Sequence, residues 1–239
     1  MNSFVQTVLC LLLAGSSHLF AKDPNQLSEA EQEKGFVLLF NGTNLDGWKA
    51  YMNDPIESAW SVQNGQLVLK GGSPKGSYAN IMTVAEFDDF DLRWQWKIEP
   101  GSNSGVMFHV KEGPKMPYLT GPEYQILDNK GFRNGKGEPV GSKEYTASHY
   151  AVEPALKEVA KPVGKWNHSR IRVKGNKITY WLNGAKTAEY VMHSEKWNAQ
   201  IAAAKFAEWK DFATTGAGHI ALQDHGYGAT FRKIRIRRL

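Results

Sequence analysis

Two Asn-Gly dipeptides, Asn64-Gly65 and Asn183-Gly184, each separate short runs in which apolar and polar residues alternate. Asn-Gly supplies two consecutive residues that tolerate positive φ, which a two-residue turn between twisted antiparallel strands requires. The first dipeptide joins Trp60-Ser61-Val62-Gln63 to Gln66-Leu67-Val68-Leu69. The second joins Lys177-Ile178-Thr179-Tyr180-Trp181-Leu182 to Thr187-Ala188-Glu189-Tyr190, and Gly175-Asn176 turns the run 166–174 into the former. Successive strand residues point to opposite faces, so each run buries one face and wets the other. Residues 90–98 follow the same rule: Leu92, Trp94, Trp96 and Ile98 would be buried, and Arg93, Gln95 and Lys97 presented.

Further strands are predicted over residues 36–40, 106–110 and 123–127, and a closing strand over 231–238, where Ile234 and Ile236 alternate with cationic residues. A single short helix is predicted over 194–210, with Ser194 as its N-cap and Trp197, Ile201, Ala204 and Phe206 near one side. Residues 130–165, rich in Gly, Pro and Lys, read as a long surface loop, a feature that is uncommon unless it serves a site. Many antiparallel strands with almost no helix predict an all-β fold, a two-sheet antiparallel jelly-roll sandwich. No internal repeat or linker divides it. The expected organisation is a signal peptide over 1–21, a lead over 22–34 and a single domain over 35–239.

The signal peptide rests on an apolar run over 4–14 followed by small residues up to Ala21. That run is short for a bilayer span and right for a secretory leader, so the expectation is export to the periplasm or beyond, without membrane insertion. The chain's one cysteine, Cys10, leaves with the leader, which excludes disulfides and thiolate chemistry from the mature protein. The net charge of +5 and the basic tail 231–238 raise nucleic-acid binding. The alternation in that tail reads instead as a strand with one wet face, and no nucleic acid is expected as a partner.

Two strands carry polar residues with chemical use. In residues 123–127, Tyr124 and Ile126 would face the core, and Glu123 and Gln125 the other side. In residues 218–226, Ile220 and Leu222 would face inward, and His219, Gln223 and His225 outward. If outward residues of neighbouring strands line one groove, Arg93, Gln95, His109, Gln125, Asp128 and Gln223 become substrate contacts around Glu123 and His225. Such a set suits a polyhydroxylated ligand. Asp128, five residues beyond Glu123, would share its face only across a bulge, and it reads equally well as a turn residue. Double-carboxylate glycoside hydrolysis of the laminarinase type, with Asp128 as the second carboxylate, is therefore the weaker reading. A non-catalytic carbohydrate-binding module using Trp48, Tyr78, Tyr118 or Trp209 for stacking is the stronger competitor.

The segments Gly35-Phe36-Val37-Leu38-Leu39-Phe40-Asn41-Gly42-Thr43-Asn44-Leu45-Asp46-Gly47-Trp48, Asn103-Ser104-Gly105-Val106-Met107-Phe108, Gly121-Pro122-Glu123-Tyr124-Gln125-Ile126-Leu127-Asp128-Asn129, Trp181-Leu182-Asn183-Gly184 and Gly218-His219-Ile220-Ala221-Leu222-Gln223-Asp224-His225-Gly226 resemble the 3-keto-disaccharide hydrolase family in order and content. The resemblance runs from about residue 35 to the C-terminus. It implies a concanavalin-like jelly roll and an enzyme that cleaves glycosides oxidised at C3, with an oligosaccharide or glycoside as substrate. Two departures bear on substrate choice: His109 stands where the family suggests Arg, and residues 227–231 lack an expected Trp-Phe pair. The implied chemistry needs one base to take the C2 proton beside the ketone, an acid for the leaving oxygen, and donors for the enolate. Glu123 and His225 are the candidates for base and acid. The sequence assigns no cofactor; a divalent metal held by Glu123, His225 and His109 is an alternative means of polarising the ketone.

Overall fold

Asn64 and Gly65 take φ values of 51° and 70°, and Asn183 and Gly184 take 49° and 86°, so both dipeptides form the tight turns their chemistry predicts. The computed structural model describes residues 25–52, 56, 59–74, 78–214 and 216–239. The expected leader, 1–21, lies outside the described residues.

Two antiparallel sheets pack face to face. The smaller has the order β2 (Trp48–Ala50), β5 (Ile81–Phe87), β12 (Gly218–Leu222), β7 (Asn103–Val110), β8 (Glu123–Leu127). The larger has the order β11 (Ala185–Val191), β10 (Lys177–Leu182), β9 (Asn167–Lys174), β6 (Phe90–Ile98), β13 (Ala229–Arg238), β4 (Gln66–Leu69), β3 (Trp60–Gln63), with β1 (Val37–Leu38) also on β13. The predicted all-β sandwich is the observed architecture. Its core lies between the sheets and is dominated by rings, among them Trp60, Trp96, Tyr124, Phe90, Phe108, Tyr180 and Phe231. Several of its buried polar ring atoms are paired. The Tyr124 hydroxyl lies 2.8 Å from Ser169 Oγ and donates to the Trp181 carbonyl, and Trp96 Nε1 donates to Ser169 Oγ. Tyr124 thus ties edge strand β8 to the opposite sheet, which fixes the strand that carries Glu123.

The helical content differs from expectation. A short α1 (Glu29–Glu33) forms in the N-terminal lead behind a Ser28 capping box, and its Glu31 reaches Arg235. The expected 194–210 helix begins as predicted, with Ser194 Oγ accepting from Trp197 N, but α2 (Glu195–Ala202) ends early. A 3-10 turn, Lys205–Glu208, follows and redirects the chain so that Lys205, Phe206, Trp209 and Phe212 line one pocket. The loop 130–165 covers the free edge of β8. Thr146 Oγ1 satisfies both Leu127 N and Leu127 O, and His149 bridges to Tyr124 while stacking on Tyr190.

Asp91, fully buried on β6, sits among the arginines of the larger sheet's outer face. Burial alone would raise its pKa, but the hydrogen bonds and charges of Arg170 and Arg93 outweigh burial and hold it below the usual carboxylate range. A depressed pKa contributes stability above the unfolded value that is lost as pH falls through the folded one. Asp91→Asn would leave guanidiniums facing a neutral amide. It is expected to cost about 3 kcal/mol at neutral pH, with the deficit vanishing in acid, as read by urea denaturation across pH.

Candidate active site

Glu123 and Gln125 project from the outer face of β8, because Tyr124 and Ile126 between them are committed to the core. Beside β8 runs β7, in register Gly105↔Gln125 and Met107↔Glu123, and the next strand is β12. The motif Asn103-Ser104-Gly105 gives each residue a separate task. Asn103 lines the pocket, and Ser104 Oγ donates to the Gln223 carbonyl at 2.8 Å. Gly105 leaves space for Glu123: a Cβ there would sit 2.1 Å from Glu123 Oε1.

The resulting pocket, about 240 Å³, is lined by Glu123, Gln125, Gln223 and His225, brought together as expected, and by Asn103. Its other walls are Tyr150 from the long loop, Lys205 from the 3-10 turn, and the rings of Tyr118, Phe206, Trp209 and Phe212. The rings brace one another, with Phe206 stacked on Phe212 at 4.3 Å and Tyr118 tilted on Trp209 at 5.4 Å. His225 is held between Tyr78 and Tyr227, both near-parallel to it. The neighbouring Asp224 anchors that turn by accepting from Ser73 Oγ, Ala79 N and Gly226 N.

Glu123 is almost wholly buried. Burial pushes its pKa up to about 7; the charge of Lys205 and a hydrogen bond from Gln223 oppose the rise, and Glu144 adds to it. Lys205 is itself pulled below the usual lysine range by desolvation, with Glu123 and Glu144 acting the other way, and its ammonium donates to Tyr150 Oη at 3.0 Å. Three buried oxygens, Asn103 Oδ1, Glu123 Oε1 and Gln223 Oε1, belong to pocket residues and have no hydrogen-bond partner among the described residues. Buried acceptors left unpaired are costly, and a hydroxyl-rich ligand would satisfy them.

Other expected contacts lie elsewhere. Arg93 and Gln95 do face outward, but from the larger sheet, on the opposite side of the sandwich; Arg93 pairs with Asp91, and Gln95 Oε1 accepts from Arg232. His109 occupies a bulge in β7, at φ 53°, beside Gly218. Its ring is buried edge-on to Phe90 and Phe108, and Nε2 donates to the Asp88 carbonyl. Asp128 caps a turn, accepting from Gly101, Lys130 and Gly131 N–H groups, and does not reach the Glu123 pocket. His219 contacts Glu86 and Glu112 away from the pocket. The residues weighed as alternative metal ligands are therefore split: Glu123 and His225 line the pocket, and His109 does not. Among the described residues no cluster of three or more His, Cys, Asp or Glu has the geometry to hold a metal ion.

A family model for the 3-keto-alpha-glucoside-1,2-lyase-like domain matches residues 35–237, and the matched span includes every strand that builds this pocket. The chain belongs to that family. It is 27% identical to a protein named 3-keto-disaccharide hydrolase from Bacteroides thetaiotaomicron, over 93% of this chain and 84% of that one. The crystal structure of a candidate glycosyl hydrolase from Parabacteroides distasonis superposes with a TM-score of 0.83 at 33% identity, covering 90% of this chain and 99% of that one. A Bacillus subtilis protein with a galectin-like fold, 8% identical, superposes with a TM-score of 0.51 over 90% of this chain and 94% of its own, a likeness of fold alone. In this chain Tyr150 and Lys205 join the pocket from segments with no strand alternation. The long loop's composition was the available signal for Tyr150; Lys205 had none beyond its place beside the predicted helix's apolar side.

Proposed function

We propose that this protein is an exported enzyme that cleaves 3-keto-glycosides, removing the C2 proton and expelling the glycosidic oxygen, with water then adding to give net hydrolysis. The observation that carries the reading is the single, desolvated carboxylate. Glu123 is the one carboxylate among the described residues that line the pocket, and its proton affinity is raised to neutrality. Two carboxylates at a set separation serve ordinary glycoside hydrolysis; one strengthened base serves proton abstraction beside a ketone.

In this mechanism Glu123 takes the C2 proton, and the C–H electrons form an enolate with its charge on the C3 oxygen. The ammonium of Lys205, with the amides of Asn103 and Gln125, stabilises that oxygen. The enolate electrons return to form the C1=C2 bond as the C1–O bond breaks, and His225 protonates the departing oxygen. Addition of water at C1, with a proton returned to C2 by Glu123, yields the 3-keto sugar. Tyr118, Trp209 and the other rings supply an apolar wall for the pyranose face.

A binding module would use the same rings, and incubation of the purified protein with a 3-keto-glucoside and its unoxidised parent separates the readings. Turnover of the keto sugar alone is expected. Binding of both without turnover would support the module, and cleavage of the parent would support a glucanase. Removal of His225 as alanine is expected to reduce turnover by about a hundredfold or more, consistent with loss of a general acid. Because Lys205 lowers the pKa of Glu123, Lys205→Met should raise it further. The acidic limb of the kcat/KM profile then moves to higher pH, since the ionised base forms only at higher pH.

A further inference from the structure

The outer face of the larger sheet, on the far side of the sandwich from the pocket, carries a charge arrangement that the mechanism above does not use. Arg93 on β6 stands directly opposite Arg170 on β9 and Arg235 on β13, a row of three guanidiniums across adjacent strands. Like charges directly opposite are destabilising. In the next row Asp91 relieves part of this. It binds Arg170 Nε and Nη2 at 2.8 and 2.9 Å and Arg93 Nε and Nη2 at 3.2 and 3.1 Å, with Arg237 Nε at 3.5 Å. One carboxylate thus faces three arginines. Glu31 takes Arg235, while Arg232 is held by Gln95 and stacks over Trp166 at 3.9 Å, with no acidic partner among the described residues.

The backbone is bent to build this face. A bulge in β13, with Lys233 at φ 53°, shifts the register between Arg232 and Arg235 and brings both onto the outer side. Aromatic stacking holds the guanidiniums in place, Arg170 over Trp181 at 4.3 Å and Arg93 over Phe36 at 4.6 Å. Between them lies a groove of about 330 Å³ lined by Arg93, His168, Arg170, Trp181 and Arg235. Desolvation lowers the His168 pKa, and the charges of Lys161, Lys233, Arg232 and Arg235 lower it further, as a positive field requires.

We propose that this groove binds an anionic saccharide, one carrying carboxylate or sulfate groups, through its lining arginines Arg93, Arg170 and Arg235, with Arg232 tied to the groove by its hydrogen bond to the lining residue Gln95. The planar fork of arginine matches both groups bidentately. Cations on neighbouring strands recur at about 4.8 Å, a spacing on the scale of one pyranose unit along a glycan.

The test is calorimetric binding of the full chain to chondroitin sulfate, polygalacturonate and neutral dextran, with an oligonucleotide and anionic phospholipid vesicles as comparators. Binding to chondroitin sulfate alone assigns sulfate as the recognised group, and binding to polygalacturonate as well assigns carboxylate. In either case affinity should fall with added salt and dextran should not bind. The double variant R232Q/R235Q should lose at least tenfold in affinity, and R232K/R235K should retain most of it. R232Q alone, which leaves no acid unpaired, should lose severalfold and serves where the double variant melts below the assay temperature. The proposal is overturned if dextran binds as well as the charged glycans, or if a folded glutamine variant binds as tightly as the parent. It is also overturned if the oligonucleotide or vesicles bind as tightly as the glycans. Binding is read without turnover, so a negative result leaves the Glu123 pocket's assignment standing.

Discussion

Replacing Glu123 with glutamine is expected to reduce turnover of a 3-keto-glycoside by about a hundredfold or more while making the protein more stable above neutral pH. Both effects come from the same burial. The carboxyl sits on β8 with almost no exposure, and its Oε1 has no partner among the described residues. Its pKa is raised from 4.5 to about 7. A raised carboxylate pKa means that the folded state holds the proton more tightly than the unfolded one. That contribution is fully present below the unfolded pKa and is lost as pH rises through the folded value. Above neutrality the ionised, desolvated carboxylate therefore opposes folding, by an amount on the order of 3 kcal/mol for a shift of this size. The amide removes that opposition and the base together. Denaturant melts at pH 6 and pH 8 check it: the gain over the parent should appear mainly at the higher pH. A residue with only a structural role would lose stability on substitution, at both pH values.

The second large effect is expected at Gly105, a residue that touches no substrate. Its φ is not in the left-handed region, so alanine fits the backbone without strain. A Cβ, however, would lie 2.1 Å from Glu123 Oε1, 2.9 Å from Cδ and 3.0 Å from Cγ. The carboxylate must swing away, because the Gly105 backbone is fixed by pairing opposite Gln125 and by accepting from Gln223 N. Misplacement of a reacting group by about 1 Å costs on the order of a hundredfold in rate. Gly105→Ala should therefore lower kcat by about that factor with little change in melting temperature. Combining it with Glu123→Asp, which withdraws the carboxylate by one methylene, should recover part of the loss. A variant that keeps parental kcat would show that Glu123 does not act from the observed position.

Face assignment was legible from alternation alone in β8 and β6, because a strand between a packed core and an exterior has two kinds of side. Alternation does not say which sheet a strand joins. Arg93 and Gln95 point outward as read, yet from the sheet that does not carry the pocket. His109 was misplaced for another reason. Its bulge lets its ring turn toward Phe90, and nothing in residues 103–110 marks where the extra residue falls. Asp128 followed its simpler chemistry: a short carboxylate before Asn129-Lys130-Gly131 satisfies three backbone N–H groups and leaves the site. Lys205 and Tyr150 enter the pocket from a 3-10 turn and a loop, where no periodicity exists to read. Two of the four rings considered for a binding module, Tyr118 and Trp209, and the titratable pair considered for an enzyme meet in one cavity; Trp48 does not line it, its Nε1 donating to the Leu39 carbonyl, and Tyr78 stacks on His225. The two sequence readings had divided a single site between them.

Isotope exchange tests the central claim most directly. In deuterium oxide with a 3-keto-glycoside, the product sugar should carry one deuterium at C2, incorporated faster than without enzyme and lost as a rate advantage in Glu123→Gln. Product formed with protium retained at C2, or equal cleavage of the unoxidised glycoside, would contradict the account.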